Sequence, residues 1–207
     1  MSEFRVACLQ TCTGTTPEDN LTALTSLIKE AAQEGAEFIL TPETCNFMPQ
    51  NKEARCSTMQ SESDDKTVAS LAALAAELKV TLLAGSVILT GNSDKAVNRS
   101  ICFNPLGDIV ARYDKIHLFD VELDNGERHS ESAHYEAGQE AVIADLPFGK
   151  LGMTVCYDVR FPALFRSLVP MKVEWLRRVK KTSQQVGMIR DMRRKNLKGA
   201  FEVKPNK

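Results

Sequence analysis

The sequence lacks three features that would assign it to a class at once: a long apolar segment near its start, an excess of one charge, and a spaced set of metal ligands. The first ten residues contain an acidic residue and no long apolar run, so we expect neither a signal peptide nor a membrane span there. The 26 Lys and Arg residues balance 27 Asp and Glu residues, which predicts no nucleic-acid and no membrane partner. Together these absences favour a cytoplasmic protein.

Cysteine and histidine are present but form no recognisable framework. Cys8 and Cys12 have three residues between them, and His129 and His134 have four. Neither pair is accompanied by a second pair of Cys or His residues at the spacing usual for a zinc site. Six cysteines in a chain of 207 residues with no secretory signal are expected to be free thiols. We therefore predict no metal site.

What the sequence does contain is an alternation of strand and helix patterns, in a chain long enough for one sizeable domain. Apolar residues alternate over short segments that read as strands, and helical stripes lie between them. The predicted order is strand 4–10, helix 17–34, strand 37–41, polar loop 46–63, helix 64–78, strand 80–89, hairpin 96–113, polar loop 122–134, strand 141–144 and strand 151–155. This order predicts an α/β layered domain with a mixed sheet.

Three chemically capable side chains come at the ends of predicted strands. Glu43 follows the second strand, Lys115 follows the hairpin, and Cys156 follows the last strand. Taken singly, each has a plainer interpretation: an exposed acid in a turn, a solvated lysine, and a small apolar residue in a buried strand. Taken together, an acid, an ammonium group and a thiol at neighbouring strand ends are what a cysteine hydrolase requires.

The motifs around these residues carry a family resemblance. The sequence reads T-P-E at Glu43, D-K-I-H-L-F-D at Lys115 and C-Y-D-V-R-F-P at Cys156. With these motifs in this order, the chain resembles the nitrilase superfamily of carbon–nitrogen hydrolases, and most closely its branch that hydrolyses deaminated glutathione and ω-amides. The resemblance implies an αββα sandwich with mixed sheets, over residues 4–168.

The resemblance also implies a role for each matched residue. Glu43 is expected to be the general base, Lys115 the cation of the site and Cys156 the nucleophile. The backbone N–H of Tyr157 is expected to help Lys115 stabilise the oxyanion. Glu131 is expected to position the substrate and the lysine, although Glu136 lies in the same stretch and fits the family pattern as well.

The implied activity is hydrolysis of a linear amide through a cysteine thioester, with release of ammonia. The expected partner is a small amide substrate, no cofactor is implied, and the family habit is a homo-oligomer. Asp158 and Arg160 are expected to brace the turn after Cys156 through ion pairs rather than to take part in chemistry.

The charge balance changes abruptly after residue 168. Residues 169–207 hold 12 Lys and Arg against 3 Asp and Glu, whereas residues 1–168 hold 14 against 24. Such a change predicts a boundary, with a partial nitrilase-like domain before it and a basic tail that does not match the family after it. A basic arm for nucleic acid and a divergent end of the sandwich are less favoured interpretations of the tail than loss of the family's C-terminal part.

Two alternatives to an active amidase follow from this departure. One is a catalytically inactive remnant or interaction module that retains part of the fold. The other is an N-acyltransferase of the same superfamily, which would pass the acyl group to an amine instead of water.

Overall fold

The computed structural model describes residues 4–124, 126–169, 175–178 and 201–204. The helices are α1 (Pro17–Gln33), α2 (Lys52–Thr58), α3 (Lys66–Leu78) and α4 (Pro162–Leu168). The strands are β1 (Val6–Cys8), β2 (Phe38–Leu40), β3 (Thr81–Thr90), β4 (Ala96–Phe103), β5 (Ile109–Asp114), β6 (Asp120–Glu122), β7 (Arg128–Ser130), β8 (Tyr135–Glu136), β9 (Ile143–Leu146), β10 (Gly149–Gly152), β11 (Trp175–Arg178) and β12 (Phe201–Lys204). Short 3₁₀ helices cover Glu131–Ala133 and Cys156–Arg160.

A mixed sheet of six strands organises the fold, in agreement with the sequence prediction. Its order is β1-β2-β3-β4-β5, with β8 paired to β4. Strands β1, β2 and β3 are parallel, whereas β4 is antiparallel to both of its neighbours, β3 and β5. Parallel strands need crossover helices, and α1 and the segment containing α3 provide these connections.

The two faces of the sheet are covered differently. Leu24 and Ile28 of α1 and Leu71 of α3 pack on one face, where they belong to the largest buried apolar cluster. On the other face, Ala144 of β9 and Met153 pack against Leu83 and Cys102 of the main sheet in a second cluster, which joins the sheet to the antiparallel β9–β10 ribbon. The β9–β10 ribbon and the main sheet thus form two β layers, with helices outside the first.

Local signals account for the ends of the elements. Pro17 occupies the first turn of α1. Gly35, two residues after the end of α1, has φ of 84°, the left-handed conformation that commonly follows a helix C-terminus. Asp65 caps α3 by accepting from the N–H of Val68 at 2.9 Å. In the hairpin, the Asn104 side chain accepts from two backbone N–H groups of the turn.

Several local predictions differ from the structure, and one of them is the polar loop predicted over 46–63, which contains helix α2. The segment 122–134, predicted as a loop, contributes to the small β6–β7 hairpin, which the strand pattern did not reveal because its residues are polar and largely exposed. The last strand ends at Gly152 rather than running into Cys156. Beyond Gly152 the N–H of Met153 still donates to Val142 at 3.0 Å, and the chain then leaves the ladder to turn at Cys156.

Most of the predicted basic tail, residues 169–207, lies outside the described residues. Within it, β11 and β12 pair as a two-stranded antiparallel ribbon. Among the described residues, no helix is both long and apolar enough to cross a membrane.

The core predicts where substitutions destabilise the fold. We expect Leu71→Ala to lower the free energy of unfolding by about 2–5 kcal/mol, because Leu71 is fully buried in the helix–sheet cluster. The matched change Leu106→Ala, at a side chain that is 77% exposed, should cost less than about 0.5 kcal/mol. Chemical denaturation measures both, and equal losses would contradict the assigned core.

Candidate active site

Glu43 is held by a close approach between two strands. It follows β2, and its turn packs on Gly85 of β3, where a Cβ would lie 2.2 Å from the carbonyl oxygen of Thr41. A side chain at position 85 would therefore push the Glu43 turn away. The N–H of Thr44, which has φ of 48°, donates to Ser86 Oγ at 2.8 Å and fixes the turn.

Lys115 lies directly after β5 and is 2% exposed, unlike the solvated lysine usual at a strand end. Its Nζ is 2.8 Å from Glu131 Oε2 and 3.4 Å from Glu43 Oε1. Gly138 permits this arrangement, since a Cβ there would be 2.0 Å from the carbonyl oxygen of Asp114. The structure thus brings the predicted cation into contact with two of the predicted carboxylates.

These contacts set the charge of Lys115. Burial would lower the pKa of its ammonium group, but hydrogen bonding to Glu131 and the charges of Glu43 and Glu131 outweigh burial, and the net pKa is raised. The ammonium group is consequently charged at neutral pH, as a group that stabilises an oxyanion must be.

The two candidates for the second glutamate lie in different places. Glu131 accepts from Lys115 through both oxygens and also from the N–H of Phe119 at 2.6 Å. Glu136 instead accepts from the N–H groups of Asn92 and Ser93, in the turn between β3 and β4. Contact with the lysine therefore distinguishes Glu131, a choice that the sequence left open.

Cys156 begins a 3₁₀ helix with φ of 48°, a left-handed conformation that is unfavourable for a residue with a side chain. The thiol is exposed toward a cavity of about 290 Å³. The cavity is bordered by both sheets, including Thr41, Glu43, Gly85, Ser100, Met153 and Cys156. The predicted base and the predicted nucleophile thus face one space.

The Cys156 thiol is held in its neutral form. Partial burial, followed by the charge and hydrogen-bond acceptance of Glu43, raises its pKa to about 11, against the opposing effect of Lys115. Because a thiol attacks poorly, this arrangement needs a base that removes the proton as attack occurs. Glu43 is the carboxylate that has the largest effect on the thiol.

A fully buried carboxylate, Asp158, fixes the turn that carries Cys156. Asp158 accepts from Tyr113 Oη at 2.6 Å, from the N–H of Val155 at 2.9 Å and from the N–H of His117 at 3.0 Å. The His117 ring lies 2.7 Å from the same carboxylate and stacks on Phe161 with 3.7 Å between ring centroids. The pKa of Tyr113 is raised, first by burial and then by Asp158. Asp158 does brace the turn, although largely through hydrogen bonds rather than the expected ion pairs.

Tyr157 and Arg160, the other residues singled out in this turn, have different surroundings. The Tyr157 ring packs edge-on against Phe119 and Phe161. Its N–H is at the second position of the 3₁₀ helix, where no carbonyl group of that helix is available to it. Arg160 is exposed.

Sequence reasoning missed Asn98, whose Nδ2 donates to Glu43 Oε1 at 2.9 Å. The sequence did contain a signal for this role, because Asn98 is a polar residue within a strand pattern whose nearby residues Val97 and Ser100 are buried. Among the described residues, no group of three His, Cys, Asp or Glu side chains is arranged to hold a metal ion.

Comparison with models of known protein families identifies the family to which this chain belongs. The family model described as carbon-nitrogen hydrolase matches residues 5–197. The chain belongs to the carbon-nitrogen hydrolase family. This match confirms the predicted membership of the nitrilase superfamily, and the α/β fold also agrees with the prediction.

Individual relatives of the carbon-nitrogen hydrolase family are similar over most of this chain. The deaminated glutathione amidase of Yersinia enterocolitica is 36% identical over 81% of this chain and 59% of its own length. The omega-amidase NIT2-B of Xenopus laevis is 33% identical over 79% and 58%, respectively. The crystal structure of the Caenorhabditis elegans NitFhit protein superposes with a TM-score of 0.70 at 30% identity, over 77% of this chain and 39% of that one.

The chain therefore spans about three fifths of the length of the curated relatives it matches. The family match continues past residue 168, where the change in charge predicts a boundary. The division into a hydrolase part at 4–168 and a basic tail at 169–207 stays a prediction.

The raised pKa of Cys156 predicts a distinctive pH dependence of alkylation. We expect the rate of its reaction with iodoacetamide to rise with pH through a midpoint of about 11, well above the ordinary thiol value of about 8.5. Glu43→Gln should lower this midpoint, because a neutral amide does not oppose the thiolate. Peptide mass spectrometry separates Cys156 from the exposed reference thiol Cys56. A midpoint near the ordinary value in the unaltered protein would contradict this electrostatic account.

The contacts of Asp158 predict a local effect on the turn that carries Cys156. We expect Asp158→Asn to lower the free energy of unfolding by about 1–3 kcal/mol, since the amide nitrogen cannot accept from the buried Val155 N–H or the Tyr113 hydroxyl. Hydrogen–deuterium exchange should accelerate in the peptide 149–162.

The control is Asp65→Asn, which alters another buried carboxylate far from this turn. It should cost less than Asp158→Asn, because asparagine caps a helix about as well as aspartate, and it should leave exchange in the peptide 149–162 unchanged. If both variants accelerate exchange in that peptide equally, the contacts of Asp158 do not specifically stabilise the turn.

Proposed function

We propose that the protein is an amidase that hydrolyses a linear carbon–nitrogen bond through a cysteine thioester. The observation that carries the proposal is that Glu43 and Cys156 line one cavity while Lys115 Nζ lies 3.4 Å from Glu43 Oε1, in a chain that belongs to the carbon-nitrogen hydrolase family. The arrangement supplies a base, a fixed positive charge and a nucleophile, which are the three requirements of acyl transfer from an amide.

In the first half of the reaction, Glu43 takes the thiol proton as the sulfur of Cys156 attacks the amide carbon. The carbonyl oxygen becomes an oxyanion, which the Lys115 ammonium group and the N–H of Tyr157 stabilise. Glu43 then gives the proton to the departing nitrogen, the carbon–nitrogen bond breaks, and ammonia leaves a thioester on Cys156. Glu131 holds Lys115 in position through its two short contacts.

In the second half, Glu43 takes a proton from water as the water oxygen attacks the thioester carbon. A second oxyanion forms on the same donors and collapses with release of the carboxylic acid. The proton returns to sulfur, and the starting state is restored. Each group is therefore used twice, and no cofactor is consumed.

The substrate class follows from the named relatives. We infer a small carboxylic amide, with deaminated glutathione and α-keto ω-amides such as α-ketoglutaramate as the first candidates, since similar proteins are named deaminated glutathione amidase and omega-amidase. We expect the protein to act in the cytoplasm as a homo-oligomer, without a nucleic-acid or membrane partner.

A catalytically inactive remnant is the rival function, and one specific observation favours it. Cys156 is exposed in the described part of the site. A site that is open to water holds its groups less firmly, which costs rate.

Ammonia release tests the proposal. The full chain should release ammonia from α-ketoglutaramate or deaminated glutathione, and Cys156→Ala should reduce kcat/KM by about 1,000-fold or more because it removes the attacking atom. Cys56→Ala, which alters an exposed thiol on α2, should have no effect. Mass spectrometry of quenched reactions should find the acyl adduct on Cys156.

The outcomes separate the alternatives. Folded protein with neither ammonia release nor an adduct indicates the inactive remnant. Faster consumption of the adduct by an added amine than by water indicates an N-acyltransferase.

A further inference from the structure

Three buried side-chain atoms of the described residues have no hydrogen-bond partner: Arg55 Nε, Asn98 Oδ1 and His134 Nδ1. Such atoms are rare, and each costs about 1–3 kcal/mol unless a solvent molecule or a ligand satisfies it. All three lie around the pairing of β8 with β4. Ala96 is opposite Tyr135 in this pairing, His134 precedes Tyr135, and Asn98 is two residues beyond Ala96.

Arg55 is the charged member of this group. It lies on α2, is 5% exposed, and its guanidinium carbon is 5.4 Å from the centre of the Tyr135 ring. Stacking on an aromatic ring holds a guanidinium plane while its N–H edge stays available for a forked pair with a carboxylate.

Three other arginines of the described chain, Arg99, Arg112 and Arg128, have carboxylate partners. Arg99 pairs with Asp114, and Arg112 pairs with Glu62. Within the described ranges, no carboxylate lies within ion-pair distance of Arg55. A buried cation without a counter-charge is costly, which points to an anion that arrives from outside the chain.

Tyr135 connects Arg55 to the catalytic cluster. It packs with Phe47, Ile88 and Ala96, and Ala96 shares a face of β4 with Asn98 because alternate residues of a strand point the same way. Asn98 on that face donates to Glu43. Burial raises the pKa of Tyr135 most, Arg55 lowers it, and the charges of Glu131 and Glu43 raise it, so Tyr135 is within electrostatic range of both groups.

The charges around Cys156 indicate a role for the buried cation Arg55. Glu43 and Glu131 are two negative charges against the single positive charge of Lys115. An anionic substrate would be repelled by that excess unless a second cation compensates for it. Arg55 packs on the ring of Tyr135, and Tyr135 belongs to β8, which pairs with β4, the strand that carries Asn98.

We propose that Arg55 is a specificity-determining residue that pairs with a carboxylate carried by the substrate, so that anionic monoamides are preferred over neutral amides. This inference rests on the amidase function proposed above. It assigns the scissile amide to Cys156 and the free carboxylate to Arg55, an arrangement that suits monoamides of short dicarboxylic acids.

The test compares glutaramate with its uncharged methyl ester. The unaltered protein should have the higher kcat/KM for glutaramate. Arg55→Gln should lower kcat/KM for glutaramate by about 10- to 100-fold, the usual effect of losing a charged hydrogen-bonded pair, and should change the value for the ester by less than about 3-fold. Arg55→Lys, which keeps the charge but not the planar fork, should lie between.

Arg99→Gln is the matched control. It removes a partly exposed arginine of β4 that is tied to Asp114 and Glu62, so it should leave the ratio between the two substrates unchanged. Equal losses on both substrates in Arg55→Gln, or no loss on either, would overturn the proposal, and Arg55→Lys decides if Arg55→Gln does not fold.

Binding separates this inference from the amidase proposal. Cys156→Ala can bind substrate without turnover, and calorimetry should find glutaramate bound at least about 10-fold more weakly when Arg55→Gln is added. If the unaltered protein hydrolyses neither compound, the amidase proposal fails, yet this binding difference still supports Arg55 as the anion contact. Absence of glutaramate binding, or equal binding by both variants, overturns the role of Arg55.

Discussion

The buried carboxylate of Asp158 is the interaction on which the geometry of the site depends. A full charge taken out of water costs several kcal/mol unless its oxygens are fully used, and here donors reach it from two separate segments. Tyr113 and His117 flank Lys115, whereas Val155 precedes Cys156. One charge therefore ties the lysine segment to the cysteine segment.

Around that anchor, the reacting groups are arranged by their charges. Lys115 lies between Glu131 and Glu43, and its raised pKa keeps the ammonium group charged. Burial, and after it the same carboxylates, raise the pKa of Cys156 and disfavour a thiolate there. At neutral pH the site therefore holds a neutral thiol close to a charged ammonium group.

Much of the fold and part of the site could be predicted because their signals are local. Pro17, Asp65 and Asn104 mark helix starts and a turn through contacts a few residues away. Glu43, Lys115 and Cys156 stand in contiguous motifs that a family resemblance can match.

What could not be predicted depends on contacts between distant segments. The choice of Glu131 over Glu136 required the position of Lys115, and the partners of Asp158 lie 41 and 45 residues away along the chain. Arg55 lies in a segment that was expected to be a polar surface loop, and only the fold reveals that it is buried. The left-handed backbone at Cys156, with φ of 48°, leaves no trace in composition. Glycine would adopt it without the penalty of about 1–2 kcal/mol that a side chain incurs. The residue with the lowest conformational cost at position 156 is therefore glycine, which has no side chain that can react. Selection for thermal stability alone would favour replacing Cys156 with glycine.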